Sequence, residues 1–214
     1  MKKRILCFGD SNTYGSNPSG GRYDENTRWP MHLAQLLGDE YTVIEEGFGG
    51  RTICFDDPVE GGFKSGAAYF PPCLMSHTPI DLVIFMLGTN DLKERFNMNA
   101  HTIAQSMQQL VMQTRIYGMN ASGAKPAVLI VSPPHIGENL RETSLYSNFG
   151  ENSISESRAF RQEFHKISRI QKAEFLDAAE FCQPSVRDAV HLTADGHRAL
   201  AAAIADKIRI IFEK

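Results

Sequence analysis

Four short stretches of this chain carry side chains that can do chemistry together. They are Gly9-Asp10-Ser11, Gly47-Phe48-Gly49-Gly50-Arg51-Thr52, Gly88-Thr89-Asn90-Asp91 and Asp188-Ala189-Val190-His191. Between them they supply a hydroxyl, an imidazole, carboxylates and hydrogen-bond donors. A serine hydroxyl is a poor nucleophile near neutrality and needs a base beside it. Histidine suits that task because its pKa lies near the operating pH. An acceptor on its second nitrogen must then fix the ring and its tautomer. Asp188, three residues before His191, can reach back to Nδ1 in a turn. Attack of Ser11 on an ester carbonyl builds negative charge on oxygen. The backbone N–H groups of Ser11 and Gly50, with the Asn90 side-chain amide, are the candidate donors to that oxyanion. Glycine at position 50 lets bare backbone approach the reacting carbonyl.

Each residue also has an ordinary structural reading. Ser11 alone reads as a turn or cap serine, and a single such motif is weak; the other three stretches reverse the balance. Asp10 reads as a carboxylate bracing its turn by accepting backbone N–H bonds. Asp91 reads as a support for its loop. His197, inside the last helical pattern, reads as structural or solvent-facing. A zinc site from Asp188, His191 and His197 lacks a further ligand at metal spacing, so no metal is expected there. Gly47–Gly50 lacks the G-x-G-x-x-G spacing of a dinucleotide loop and follows the second strand rather than the first. Candidate substrate contacts are Asn12, Tyr14, Phe48 and Arg51. Arg51 is either an exposed charge or a partner for an acidic group on the substrate. Trp29 and Phe55 read as core or interface.

Placing these residues requires strand ends. Arg4–Phe8, Tyr41–Glu45, Asp81–Leu87, Ala127–Val131 and a weaker Ala173–Leu176 read as strands, and Asp81–Leu87 is a continuous apolar run of the kind buried on both faces. Helical patterns alternate with them. Thr27–Leu37 has Pro30 in its first turn and Gly38 past its end. Ile103, Met107, Leu110, Val111 and Thr114 fall on one helical face, stopped by Gly118. Ser153 with Glu156 reads as a capping box opening a helix to about Gln171. A last helix starting near Thr193 places Leu200, Ile204, Ile208 and Ile211 on one face. Alternation of this kind gives right-handed βαβ units, hence a three-layer α/β/α sandwich of about five parallel strands. Ligands bind beyond the carboxyl ends of such strands, so the four stretches share one rim. Two long connections, 47–65 and 132–152, read as lids, subunit contacts or disordered segments.

Bulk properties narrow the function classes. The chain has 214 residues, 42% hydrophobic and 22% charged, and a formal charge of −3. Residues 1–214 read as one domain, which buries about 70% of its unfolded surface and needs no disulfide or metal to fold. There is no basic footprint for nucleic acid. No apolar run approaches the ~20 residues of a membrane span. The apolar stretch after Lys2-Lys3-Arg4 is too short for a secretory h-region. Cys7, Cys54, Cys73 and Cys182 form no Cys-x-x-Cys and read as buried or idle thiols, consistent with a cytoplasmic location.

In their order and at their strand ends, the four stretches resemble the four blocks of the SGNH (GDSL-type) hydrolase family: Gly-Asp-Ser, the second-block glycine, Gly-x-Asn-Asp and Asp-x-x-His. The resemblance runs from Arg4 to about His197. Arg4–Ser11, Val43–Gly47 and Asp81–Asp91 are similar to small intracellular arylesterases and acyltransferases of that family. It implies a flavodoxin-like sandwich, no cofactor, a Ser11–His191–Asp188 triad and an oxyanion hole from Ser11, Gly50 and Asn90. Asn12 departs from the pattern, in which leucine is usual. The expected function is a serine esterase acting on small acyl esters through an acyl-enzyme, with a small-molecule partner and self-association into a homo-oligomer as a further implication. Acyl transfer to an alcohol uses the same triad, and a non-catalytic flavodoxin-like binding module is the rival from another class.

Overall fold

Alternating side chains of the strands face two separate apolar layers, and that partition organises the molecule. The computed structural model describes residues 2–213. Five strands, β1 (Lys3–Gly9), β2 (Tyr41–Gly47), β3 (Leu82–Met86), β4 (Ala127–Ser132) and β5 (Glu174–Asp177), form one sheet. Their order is β2-β1-β3-β4-β5, and every neighbouring pair is parallel. Seven helices are described: α1 (Ser11–Tyr14), α2 (Trp29–Leu37), α3 (Gly66–His77), α4 (Ala100–Tyr117), α5 (Tyr146–Phe149), α6 (Asn152–Ile170) and α7 (Ala194–Glu213). Leu6, Phe8, Val83 and Phe85 point to the layer of α3, α4 and α6. Ile5, Cys7, Ile84 and Met86 point to the layer of α2 and α7. Both faces of β1 and β3 are therefore covered, as their unbroken apolar runs require. The expected three-layer sandwich is the observed one.

The chain goes from β1 to β2 on one side and returns to β3 on the other, so the strand order reverses between β1 and β3. A crevice opens at the carboxyl ends of strands that part in this way. β1 ends on Gly9 and β3 on Met86, opposite one another in register. The segments that follow them reach the rim as neighbours.

Two local readings are corrected. Helix α3 has no counterpart among the helical patterns of the sequence, because Pro71 and Pro72 lie inside it and proline removes a helical donor. The carbonyl of Ala67, which residue 71 would ordinarily serve, instead accepts from Gln113 Nε2 at 2.9 Å. A neighbouring helix thus satisfies what the proline leaves open. The capping box at Ser153 does not form. Ser153 Oγ donates to the Gly150 carbonyl, and Glu156 Oε2 accepts from the Ala100 N–H at 2.6 Å. Glu156 thereby serves the first turn of α4, where a carboxylate also meets the positive end of the helix dipole.

Candidate active site

The turn after β1 sets the position of Ser11. Asp10 caps α1 by accepting from the Asn12 N–H at 2.9 Å, the bracing role expected for it. Gly15, in the left-handed region, ends this single turn of helix. Beneath it, Gly47 at the end of β2 passes so close that a Cβ there would lie 2.1 Å from the Tyr14 nitrogen. Only glycine permits that crossing.

His191 arrives from the far end of the chain. Its Nε2 lies 3.0 Å from Ser11 Oγ, and its Nδ1 lies 2.7 Å from Asp188 Oδ2. The other carboxylate oxygen, Oδ1, accepts from the backbone N–H groups of Val190 and His191. Burial pushes the Asp188 carboxyl up, but the His191 bond and the two backbone donors outweigh it and hold it below the ordinary carboxylate range. Asp188 thus meets the Nδ1 side of the ring and Ser11 Oγ the Nε2 side.

The loop bearing His191 is fastened on several sides. Ser185 N–H donates to the His191 carbonyl, and Gly137 N–H donates to that of Ala189. Asn12 brackets the histidine: its Nδ2 donates to the Val190 carbonyl at 3.3 Å, and its Oδ1 accepts from the Leu192 N–H at 3.0 Å. Asn12 is 1% exposed. The expectation that it contacts substrate is corrected; its amide is committed on both ends to the loop that holds the histidine. No sequence signal points there, since these partners are about 180 positions away. The connection 132–152 takes part too, through Gly137, and folds into a 3-10 turn and α5.

Gly50 and Asn90 come from the second and third stretches. Gly50 has φ of +78°, a conformation that L side chains rarely adopt. Asn90 Nδ2 donates to the Arg51 carbonyl at 3.1 Å, so the third stretch holds the second. Asp91 adds a second tie: both of its carboxylate oxygens accept from the Ile53 N–H, at 3.0 and 3.1 Å. Burial pushes Asp91 up to about 7, with the charge of Asp10 adding to it. Burial likewise takes Asp10 to about 6.

Arg51 is buried, not an exposed charge: Nη1 donates to the Gly9 carbonyl at 2.9 Å and to the Glu46 carbonyl, and the guanidinium lies over the Phe8 ring. It therefore stitches the ends of β1 and β2 together. Phe48 packs under the Lys64 ammonium, 4.3 Å from its ring centroid. Tyr14 is partly exposed beneath the Arg22 guanidinium, at 4.2 Å. Phe48 and Arg51 line a cavity of about 600 Å³ with Phe63 and Tyr69. Ser11 and His191 are not in its wall. His197 is fully buried, with Nδ1 accepting from the Trp29 N–H at 3.3 Å, and is a core residue.

Sequence reasoning misses an ion cluster that anchors the connection 47–65. Asp57, with no exposed side-chain surface, lies against Lys93 and Arg95, and both cations also reach Glu60. Arg95 meets Asp57 through Nε and Nη2, a forked geometry that pairs well with carboxylate. The long connection is thus pinned to the turn following Asn90. Charges scattered over 57–60 and 93–95 give no periodic signal.

A five-stranded parallel sandwich with a Ser-His-Asp constellation at its switch point is the architecture of the SGNH hydrolases. The GDSL-like lipase/acylhydrolase family matches residues 7–199. The chain belongs to that family. Among solved structures it is similar to Est24, a carbohydrate acetylesterase from Sinorhizobium meliloti, at 36% identity and TM-score 0.91 over 99% of this chain and 100% of the other. It is similar also to the aryl esterase of M. smegmatis, at 35% identity and TM-score 0.89 over 97% and 99% of the two chains. Comparison with curated proteins returned no match. Among the described residues, no helix is long and apolar enough to cross a membrane.

Proposed function

We propose that this chain is a serine esterase that hydrolyses small acyl esters, aryl, alkyl or acetyl, through a covalent acyl-enzyme. The observation that carries the reading is the contact of Ser11 Oγ with His191 Nε2 at 3.0 Å while Asp188 occupies Nδ1 at 2.7 Å. In the first half-reaction Ser11 Oγ attacks the ester carbonyl carbon and passes its proton to Nε2. The resulting imidazolium is stabilised by the Asp188 carboxylate. The tetrahedral oxyanion accepts from the N–H groups of Ser11 and Gly50 and from the second Nδ2 proton of Asn90, the first being held by the Arg51 carbonyl. Nε2 then gives its proton to the departing alkoxide, the C–O bond breaks, and the acyl group stays on Ser11. Water repeats the sequence and returns the serine.

The acetylesterase and arylesterase activities named for the similar structures support small acyl groups as substrates. The test is hydrolysis of p-nitrophenyl acetate by the wild type and by Ser11→Ala. The variant should lose on the order of 10⁴–10⁶-fold in kcat, and a fluorophosphonate should form one adduct, on the peptide containing Ser11. Equal turnover in the two proteins overturns the mechanism.

A further inference from the structure

A group of metal-ligating side chains lies apart from the serine and histidine, between the edge strand β2 and helix α3. Glu46, Cys73 and His77 bring a carboxylate oxygen, a sulfur and an imidazole nitrogen within 4.8 Å of one another. Cys73 and His77 are four residues apart on α3, so they stand on one helical face and project together. Glu46 extends toward them from the end of β2, and its Oε1 lies 2.9 Å from His77 Nε2. Tyr69, one turn before Cys73 on the same face, donates its hydroxyl proton to Glu46 Oε2 at 3.3 Å.

We propose that Glu46, Cys73 and His77 form a binding site for a single zinc-like divalent cation. Donors about 2.0–2.3 Å from a tetrahedral ion stand roughly 3.3–3.5 Å apart, so the three side chains need move only about an ångström to enclose one. A thiolate, an imidazole and a carboxylate are the donor set of borderline-soft ions, not of magnesium or calcium, which take oxygen. Thiolate and carboxylate would bring two negative charges to a dication, with the buried Arg51 guanidinium as a further positive charge acting on both. The Tyr69 hydroxyl already orients the carboxylate from behind, the supporting contact that ligands in metal sites usually have. A path in exists as well: Glu46 and Tyr69 line the 600 Å³ cavity, and the His77 side chain is 31% exposed. The fourth position is left to water. The ion has no part in the proposed ester chemistry. It joins β2 to α3 at Glu46, whose carbonyl accepts from Arg51 at the base of the loop bearing Gly50.

Titration of the metal-free protein with Co²⁺ tests the site. One equivalent should produce the visible bands of tetrahedral cobalt together with a near-ultraviolet thiolate-to-cobalt charge-transfer band, and Mg²⁺ should not compete. Cys73→Ser should abolish the charge-transfer band, whereas Cys54→Ser should keep it. His77→Gln, at a partly exposed side chain, should fold normally and weaken binding at least about 10-fold. Ser11→Ala should leave the spectrum unchanged, which separates this site from the esterase reading. The proposal is overturned if saturating Co²⁺ gives no thiolate band. It is equally overturned if the band survives Cys73→Ser, or if His77→Gln binds as tightly as the wild type.

Discussion

Replacing Asp91 by asparagine separates two things that the aspartate does at once. It holds the Ile53 N–H, which fixes the loop carrying Gly50, and it places an ionisable group where water does not reach. The residue is 1% exposed, and burial raises its carboxyl from 3.8 to about 7. A carboxyl whose pKa is raised by folding binds its proton more tightly in the folded state, so it contributes stability at low pH and loses it as the pH climbs through the folded pKa. The full shift is about 3 units, or on the order of 4 kcal/mol once both states are ionised. Between about pH 5 and about pH 8 the loss amounts to roughly 2–3 kcal/mol. The asparagine of the Asp91→Asn variant would still accept from Ile53 through its amide oxygen, and it carries no charge. Urea denaturation of wild type and Asp91→Asn at the two pH values should therefore show the wild type falling relative to the variant as pH rises. Asp10, also raised, contributes a slope of the same sign in both proteins, and because the two carboxyls repel one another its slope is smaller in the variant, which adds to the difference in the same direction. If the two proteins change in parallel with pH, Asp91 is not a buried neutral acid and the reasoning fails.

Two further substitutions probe contacts that the fold makes over long distances. Asn12→Ala removes both bonds that bracket His191, and misplacing the base by a fraction of an ångström should lower kcat for p-nitrophenyl acetate about 10–100-fold with little change in KM. Steady-state kinetics with a folded variant checks this, and an unchanged kcat would mean that Ser185 and Gly137 alone hold the loop. Gln113→Leu leaves the Ala67 carbonyl in α3 without its donor and should cost about 1 kcal/mol or more in chemical denaturation while sparing catalysis.

What can be read from the sequence, and what cannot, divides by the distance over which the cause acts. The strands β1 and β3 announce themselves because burial on both faces demands an unbroken apolar run, visible within a few residues. The four polar stretches are visible because each interrupts such a run, or opens a helix, with glycine, hydroxyl, amide or carboxylate. Helix α3 stays hidden for the opposite reason: its local signal, two prolines, argues against a helix, and the amide that repairs the first of them belongs to α4. Glu156 misleads in the same way, since its local spacing fits a cap on its own helix but its carboxylate is spent on another.

Asn12 shows how this bears on the active site. Its neighbour in sequence is the proposed nucleophile, so proximity suggests substrate. In the fold the same side chain crosses to the His191 loop and bonds the residues on either side of the histidine. The leucine usual at this position has no donor or acceptor to make those bonds. A chain that carries asparagine there has joined its first turn to its last loop through two hydrogen bonds that are buried and shielded from water. Restoring leucine would bury similar volume but leave the Val190 carbonyl and the Leu192 N–H unpaired, a penalty of about 1–3 kcal/mol for each group left unmade. That cost falls on the loop that holds the His191 imidazole 3.0 Å from the Ser11 hydroxyl, so the residue beside the proposed nucleophile acts on the proposed base.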